Sequence, residues 1–181
     1  MSDTLRFEIA DSLRDVSPAR WDALTEGHPL LSHAFLHALH ESGSACERTG
    51  WAPRYLLLRD GADLRGAVPL YLKVHSYGEY VFDWAWADAW HRAGREYYPK
   101  LLCAIPFTPV TGPRLLARDA ATRTHLLAGV LQLAREAEAS TFHCLFPPEG
   151  EASAMEEAGL MRRRTVQFHW HNPGYGSFDD F

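Results

Sequence analysis

Cysteine is scarce in this chain, with Cys46, Cys103 and Cys144 the only three in 181 residues. They are widely spaced and form no CxxC pair, which excludes a disulfide framework and a zinc knuckle and fits a reducing compartment. No apolar run approaches the length of a membrane span. The N-terminal MSDTLRFEIADSL lacks a basic start followed by an apolar stretch, so it does not read as a signal peptide. Positive charge is also short, with 18 Lys and Arg against 23 Asp and Glu and a net charge of −5. A dedicated nucleic-acid surface needs a basic excess, so nucleic acid is not an expected partner. No Walker loop, HExxH motif or nucleophile signature is present. The expectation is a soluble, cytoplasmic protein with no metal.

What is present is a globular composition, 46% apolar and 23% charged, in a length suited to one well-buried domain. Alternation over residues 4–10 predicts a first strand with Leu5, Phe7 and Ile9 on one face. Ser17-Pro18 opens a short helix bearing Trp21 and Leu24, and a second helix runs from Ser32 to Ser42, stopped by Gly43. Residues 54–59 read as a strand buried on both faces. A DGADLRG turn leads to a strand bearing Val68, Leu70, Leu72 and Val74, broken at Pro69. Further on, strands are expected at 101–107, 141–146 and 160–171. A long helix from Asp119 to about Ala139 carries Leu127, Val130, Leu131 and Ala134, and a short helix spans 149–158. The fold class is α/β, an α+β mixed sheet in one domain over residues 1–172. Residues 173–181, with Ser177 as a cap, read as the start of a truncated helix leading to an absent second half.

The segment from Ser76 to Arg114 concentrates nine of the 22 aromatic residues: Tyr77, Tyr80, Phe82, Trp84, Trp86, Trp90, Tyr97, Tyr98 and Phe107. They follow neither helical nor strand spacing and are interleaved with turn formers and polar groups. Amphipathic rings beside a few placed polar side chains suit a ligand cleft. Asp83, among apolar neighbours, is expected to have a raised pKa and to be a candidate base, or else to cap a helix over 84–92. Lys100 either holds an anion or closes a strand. Thr165, Gln167, His169 and His171 alternate onto one strand face, which either lines a cleft or meets water. His33, His37 and His40 share one helix face, but the outer pair is separated by about 10 Å of rise, too far for one ion to take all three.

The element order is similar to that of the GNAT superfamily of acyl-CoA N-acyltransferases. The closer resemblance is to the FemAB-like group of bacterial N-acyltransferases, connected with peptidoglycan biosynthesis or recognition. It rests on SHAFLHALHESGS (32–44), TGWAPRYLLLRD (49–60), GAVPLYLKVHSYGEYVFDWAWADAW (66–90), YYPKL (97–101), PFTPVTGPRLL (106–116) and QFHWHN (167–172). The Fem-type architecture has two GNAT-like halves, and this chain resembles the N-terminal one. The resemblance implies a GNAT-like fold with an aromatic-rich insert, and transfer of an acyl or aminoacyl group to a small-molecule or peptidoglycan-precursor amine. The donor is acyl-CoA or aminoacyl-tRNA.

Within that reading Asp83, His169 and His171 are the catalytic candidates. Thr108, Thr111, Gly112 and Arg114 are the candidates for the acyl-CoA donor, and Trp84, Trp86, Tyr97, Tyr98 and Lys100 for the substrate. The superfamily's glycine-rich pyrophosphate loop has no counterpart here. TPVTGPRLLARD stands in its place, with Pro109 and Pro113 unable to donate N–H bonds. The alternative function is a non-catalytic recognition half that binds a cell-wall precursor or glycan through residues 76–114.

Overall fold

A long antiparallel hairpin organises the protein. The computed structural model describes residues 5–81 and 83–181, so Thr4 of the expected first strand and Phe82 of the aromatic segment lie outside the described residues. One arm of the hairpin is β2 (Ala52–Pro53) and β3 (Tyr55–Asp60); the other is β4 (Asp63–Val68) and β5 (Leu70–Lys73). Leu56 faces Val68, Pro53 faces Tyr71, and the Arg54 N–H donates to the Leu70 carbonyl, so the ladder runs past the break at Pro69. Proline supplies no N–H, which interrupts the strand without ending the arm.

Beside β3 lies β1 (Leu5–Ala10), antiparallel. On the other side of the hairpin, β6 (Lys100–Cys103) pairs with β5, and β7 (Leu116–Ala117) pairs with β4. Residues 104–115 are therefore an excursion that leaves the sheet beside β5 and rejoins it beside β4. A parallel strand, β8 (Phe142–Cys144), borders β6.

Alternation assigns each strand residue to one of two cores. Tyr55, Leu57, Tyr71 and Leu102 pack with Trp21, Leu31 and Leu36 on the side of α1 (Pro18–Asp22) and α2 (His33–Glu41). Leu56, Leu58, Val68, Leu70, Leu101 and Cys103 pack under α4 (Ala120–Glu136) and α5 (Glu149–Glu157). β3 is thus covered on both faces, as its unbroken apolar run requires. The buried stripe of α4 is Leu126, Leu127, Val130 and Leu133, with Leu131 and Ala134 partly covered. Gly66 admits the helix: a Cβ there would lie 2.9 Å from Leu126 Cδ1. The architecture is mixed α/β, with the remaining helix α3 (Trp84–Arg92) outside both layers and burying no residue.

The caps follow the sequence. Ser32 Oγ accepts from the Phe35 N–H, and the Asp119 carboxylate accepts from the Thr122 N–H. The strand expected at 101–107 stops at Cys103, where Ala104 begins the excursion. The strand expected over 160–171 does not form. Those residues have no regular structure and are largely exposed, with Val166 at 80% and Phe168 at 99%. Alternation alone does not make a strand, because its backbone groups need a neighbouring ladder and its apolar face needs cover. At the end, Ser177 caps a single 3-10 turn, Phe178–Asp180.

Candidate functional site

Three adjacent strands direct nitrogen bases to one face of the sheet. Lys73 on β5 is the register partner of Lys100 on β6, and His143 lies on β8. Two cations opposite one another on a sheet repel, more so when desolvated, and both lysines have no exposed surface. Compensation comes from the connection after β5, which carries Ser76, Glu79 and Asp83 into the same core. Lys100 Nζ donates to Ser76 Oγ at 2.7 Å, Glu79 Oε2 at 2.8 Å and Asp83 Oδ2 at 2.6 Å. An ammonium has three N–H groups, and all three are used. The Tyr97 hydroxyl donates to Asp83 Oδ2 at 2.8 Å and lies 3.4 Å from His143 Nε2. Tyr98 OH joins through Ser76 Oγ at 2.8 Å. Lys73 Nζ donates to the Tyr77 carbonyl and sits 3.8 Å from the centre of the Trp51 ring.

These contacts set the protonation states. Burial pushes Asp83 up, but hydrogen bonds and charge, chiefly from Lys100, outweigh it and hold the carboxyl below its ordinary range. The expected raised pKa is therefore corrected: the apolar neighbours in sequence are not the neighbours in space. Asp83 does occupy the N-cap position of α3, yet its side chain makes no cap bond. Glu79, further from balance, is raised by burial. Burial lowers Lys73 to about 8, and burial with the Lys100 charge lowers His143 to about 4. Asp83 Oδ1 and Glu79 Oε1 are buried with no hydrogen-bond partner.

The segment that supplies Glu79 and Asp83 also carries exposed rings. Tyr77, Tyr80, Trp84 and Trp86 are 69%, 58%, 59% and 48% exposed. Tyr77 and Trp84 are edge to face at 6.5 Å and together form a small aromatic shelf, while Trp86, two residues along α3, projects from another side of the helix. Gly78, at φ +79°, lets Phe107 of the excursion pack against this connection, since a Cβ there would lie 2.6 Å from Phe107 Cδ1. Phe107 in turn rests 5.3 Å from the Trp51 ring. We expect Gly78→Ala to cost about 1 kcal/mol or more, from its left-handed backbone plus the clash. A melting temperature equal to wild type would contradict this.

A family model for FemAB-like proteins, described as peptidoglycan biosynthesis/recognition, matches residues 12–181. This chain belongs to the FemAB-like family. Among solved structures, an acetyltransferase of Trypanosoma brucei is similar over 93% of this chain and 99% of that one, at 14% identity and a TM-score of 0.49. A search of curated proteins finds no significant match. Among the described residues no helix is long and apolar enough to cross a membrane.

The FemAB-like chain brings Asp83, Tyr97, Tyr98 and Lys100 together, and Trp84 follows Asp83 directly. Lys100 and Tyr97 are buried parts of the support, with no donor left on Lys100 for a substrate anion. The excursion behaves differently from expectation. Arg114 is fully buried, and its guanidinium donates to the carbonyls of Leu145 (2.8 Å), Gly112 (2.9 Å), Pro113 (3.2 Å) and Val110 (2.7 Å). The Gly112 N–H goes to the Phe146 carbonyl at 3.3 Å, and Thr108 Oγ1 to the Pro106 carbonyl at 3.0 Å. Thr111 is exposed, and its carbonyl lies 3.4 Å from His28 Nε2. Gly112 and Arg114 thus spend their donors on carbonyls of the excursion and of Leu145 and Phe146, and do not fit a donor phosphate. At the start of α4, where helix N–H groups favour an anion, the Asp119 carboxylate already caps.

His169 and His171 stack on the exposed 160–171 segment, 6.5 Å apart, and Gln167 Nε2 ties that segment to the Pro109 carbonyl at 2.8 Å. On α2, His33 is spent on the Leu13 carbonyl and His40 on the Tyr55 hydroxyl.

Sequence reasoning missed Lys73, Glu79 and His143. One signal for the first was available: Lys73 and Lys100 are the only lysines in the chain, every other cation being arginine.

Proposed function

We propose that this FemAB-like chain binds the amine-bearing acceptor of an acyl or aminoacyl transfer in peptidoglycan metabolism, as part of an N-acyltransferase. The observation that carries this reading is the shelf of Tyr77 and Trp84, two exposed rings in contact, on the connection that the buried Lys100 cluster holds through Glu79 and Asp83. Rings held on a rigid base cover sugar and peptide faces at little entropic cost. Asp83, held ionised by Lys100 and enclosed with it, is a positioning residue that supports the connection carrying Tyr77 and Trp84. His169 and His171 are the proposed proton acceptors. In the transfer the imidazole takes one proton from the acceptor ammonium, the freed amine nitrogen attacks the donor carbonyl, and the donor's leaving group departs with the second N–H proton.

The test is tryptophan fluorescence of the chain, titrated with a soluble muropeptide bearing a free side-chain amine and with its N-acetylated form. The free amine is expected to bind, and acetylation to weaken binding. Tyr77→Ala and Trp84→Ala should each weaken it about tenfold with an unchanged melting temperature. Equal affinity for both forms would favour the non-catalytic recognition half, and no binding to either would remove the shelf as the site.

Acyl-CoA is the second element of this reading. An open cavity of about 420 Å³ beside the start of α4 is lined by Arg20, Arg65 and Arg118 together with Asp63 and Asp119. Arg20 is turned to Asp63 and the Ala62 carbonyl, which leaves Arg65 and Arg118 better placed for a donor phosphate than the excursion residues. Acetyl-CoA should raise the melting temperature saturably if they hold it, and Arg65→Ala should lessen the rise. A flat response would leave the chain with the acceptor alone.

A further inference from the structure

We propose that Cys103 and Cys144 form an oxidation site, which a hydroperoxide converts into a disulfide between β6 and β8. The two are register partners on adjacent parallel strands, and both belong to the core under α4. Neighbouring strands lie about 4.8 Å apart, inside the about 4.4–6.8 Å Cα separation that a disulfide spans. Both are free thiols; Cys103 is fully buried, and Cys144 is partly accessible. Burial, with Cys144 as a neighbour, pushes the Cys103 thiol up. Cys103 is therefore the slow, protected member, and Cys144 the member that meets oxidant first.

The chemistry balances in two steps. The Cys144 sulfur attacks the peroxide O–O bond, giving a sulfenic acid and water (or an alcohol from an organic hydroperoxide). The Cys103 sulfur then displaces the sulfenic oxygen as a second water, forming S–S, with the two thiol protons leaving in the water or alcohol produced.

The site is coupled to the excursion. Cys103 Sγ donates to the Arg114 carbonyl at 3.8 Å, and Arg114 Nε donates to the carbonyl of Leu145, next to Cys144. A bridge there would fasten both strands beneath the clamp that holds residues 104–115.

The experiment treats the folded chain with hydrogen peroxide, then counts thiols after denaturation and maps tryptic peptides without reductant. The expected result is loss of two of the three thiols in a monomer. Peptide 101–114 should be linked to 136–162, reversibly with dithiothreitol. In Cys144→Ser, the Cys103 thiol should survive the same treatment. A link to Cys46, a disulfide between chains, a Cys144 sulfinic acid with Cys103 still free, or loss of Cys103 in Cys144→Ser would each overturn the proposal.

Discussion

Replacing Lys100 with methionine is expected to lower stability by about 3–5 kcal/mol at neutral pH, because it strands two buried carboxylates. Glu79 and Asp83 have almost no exposed surface and meet Lys100 Nζ at 2.8 and 2.6 Å. Lys73 cannot replace the lost cation, since it lies on β5 with its ammonium on the Tyr77 carbonyl and the Trp51 ring.

The pH dependence carries the sign. In the wild type, Asp83 has a depressed pKa. Its stabilising contribution is present above the ordinary value of 3.8 and is lost as pH falls below it. Glu79 is raised and acts oppositely: its contribution is present below 4.5 and declines as pH rises through its folded value. Without Lys100 both carboxyls favour the proton, so the deficit relative to wild type should shrink as pH is lowered from 7 to 4. Urea unfolding of both proteins at the two pH values measures this. Adding Glu79→Gln and Asp83→Asn to the variant should recover part of the loss at pH 7. A deficit under about 1 kcal/mol that ignores pH would mean that water screens the cluster as it does a surface pair.

The second large effect is expected at Arg114. Its guanidinium satisfies four carbonyls, while the N–H groups of Arg114 and Leu115 both reach Glu151 Oε2, at 2.9 and 3.2 Å. Each buried carbonyl left without a donor costs about 1–3 kcal/mol, so Arg114→Met should lose at least about 3 kcal/mol or fail to fold. Arg114→Lys should recover less than half, because an ammonium is a point with three donors and not a planar fork with five. Hydrogen exchange gives the sharper reading, with faster exchange in 104–115 than in β3 and β4. A fully stable Arg114→Lys would show that the excursion holds itself in place by its prolines and apolar contacts.

The division between sequence and structure follows the range of the forces. Periods, caps and breakers act over a few residues. Ser32 at the start of α2, Asp119 at the start of α4, Pro69 between β4 and β5 and the doubly buried Tyr55–Leu58 run were therefore all legible in the chain. So was the aromatic segment, since its irregular spacing already set it apart from a core strand.

Partners across the sheet were not legible. Asp83 looked like a carboxylate in apolar surroundings because Trp84 and Trp86 are its neighbours in sequence, but Lys100 and Tyr97 are its neighbours in space. The polar row ending in His169 and His171 looked like a strand, although pairing depends on a ladder elsewhere in the fold. Sequence alone determined the mixed α/β elements, the FemAB-like relationship and the segment that forms the shelf. Tertiary structure alone decided that Lys100 and Arg114 are internal supports, because register and burial determine which donors are already spent.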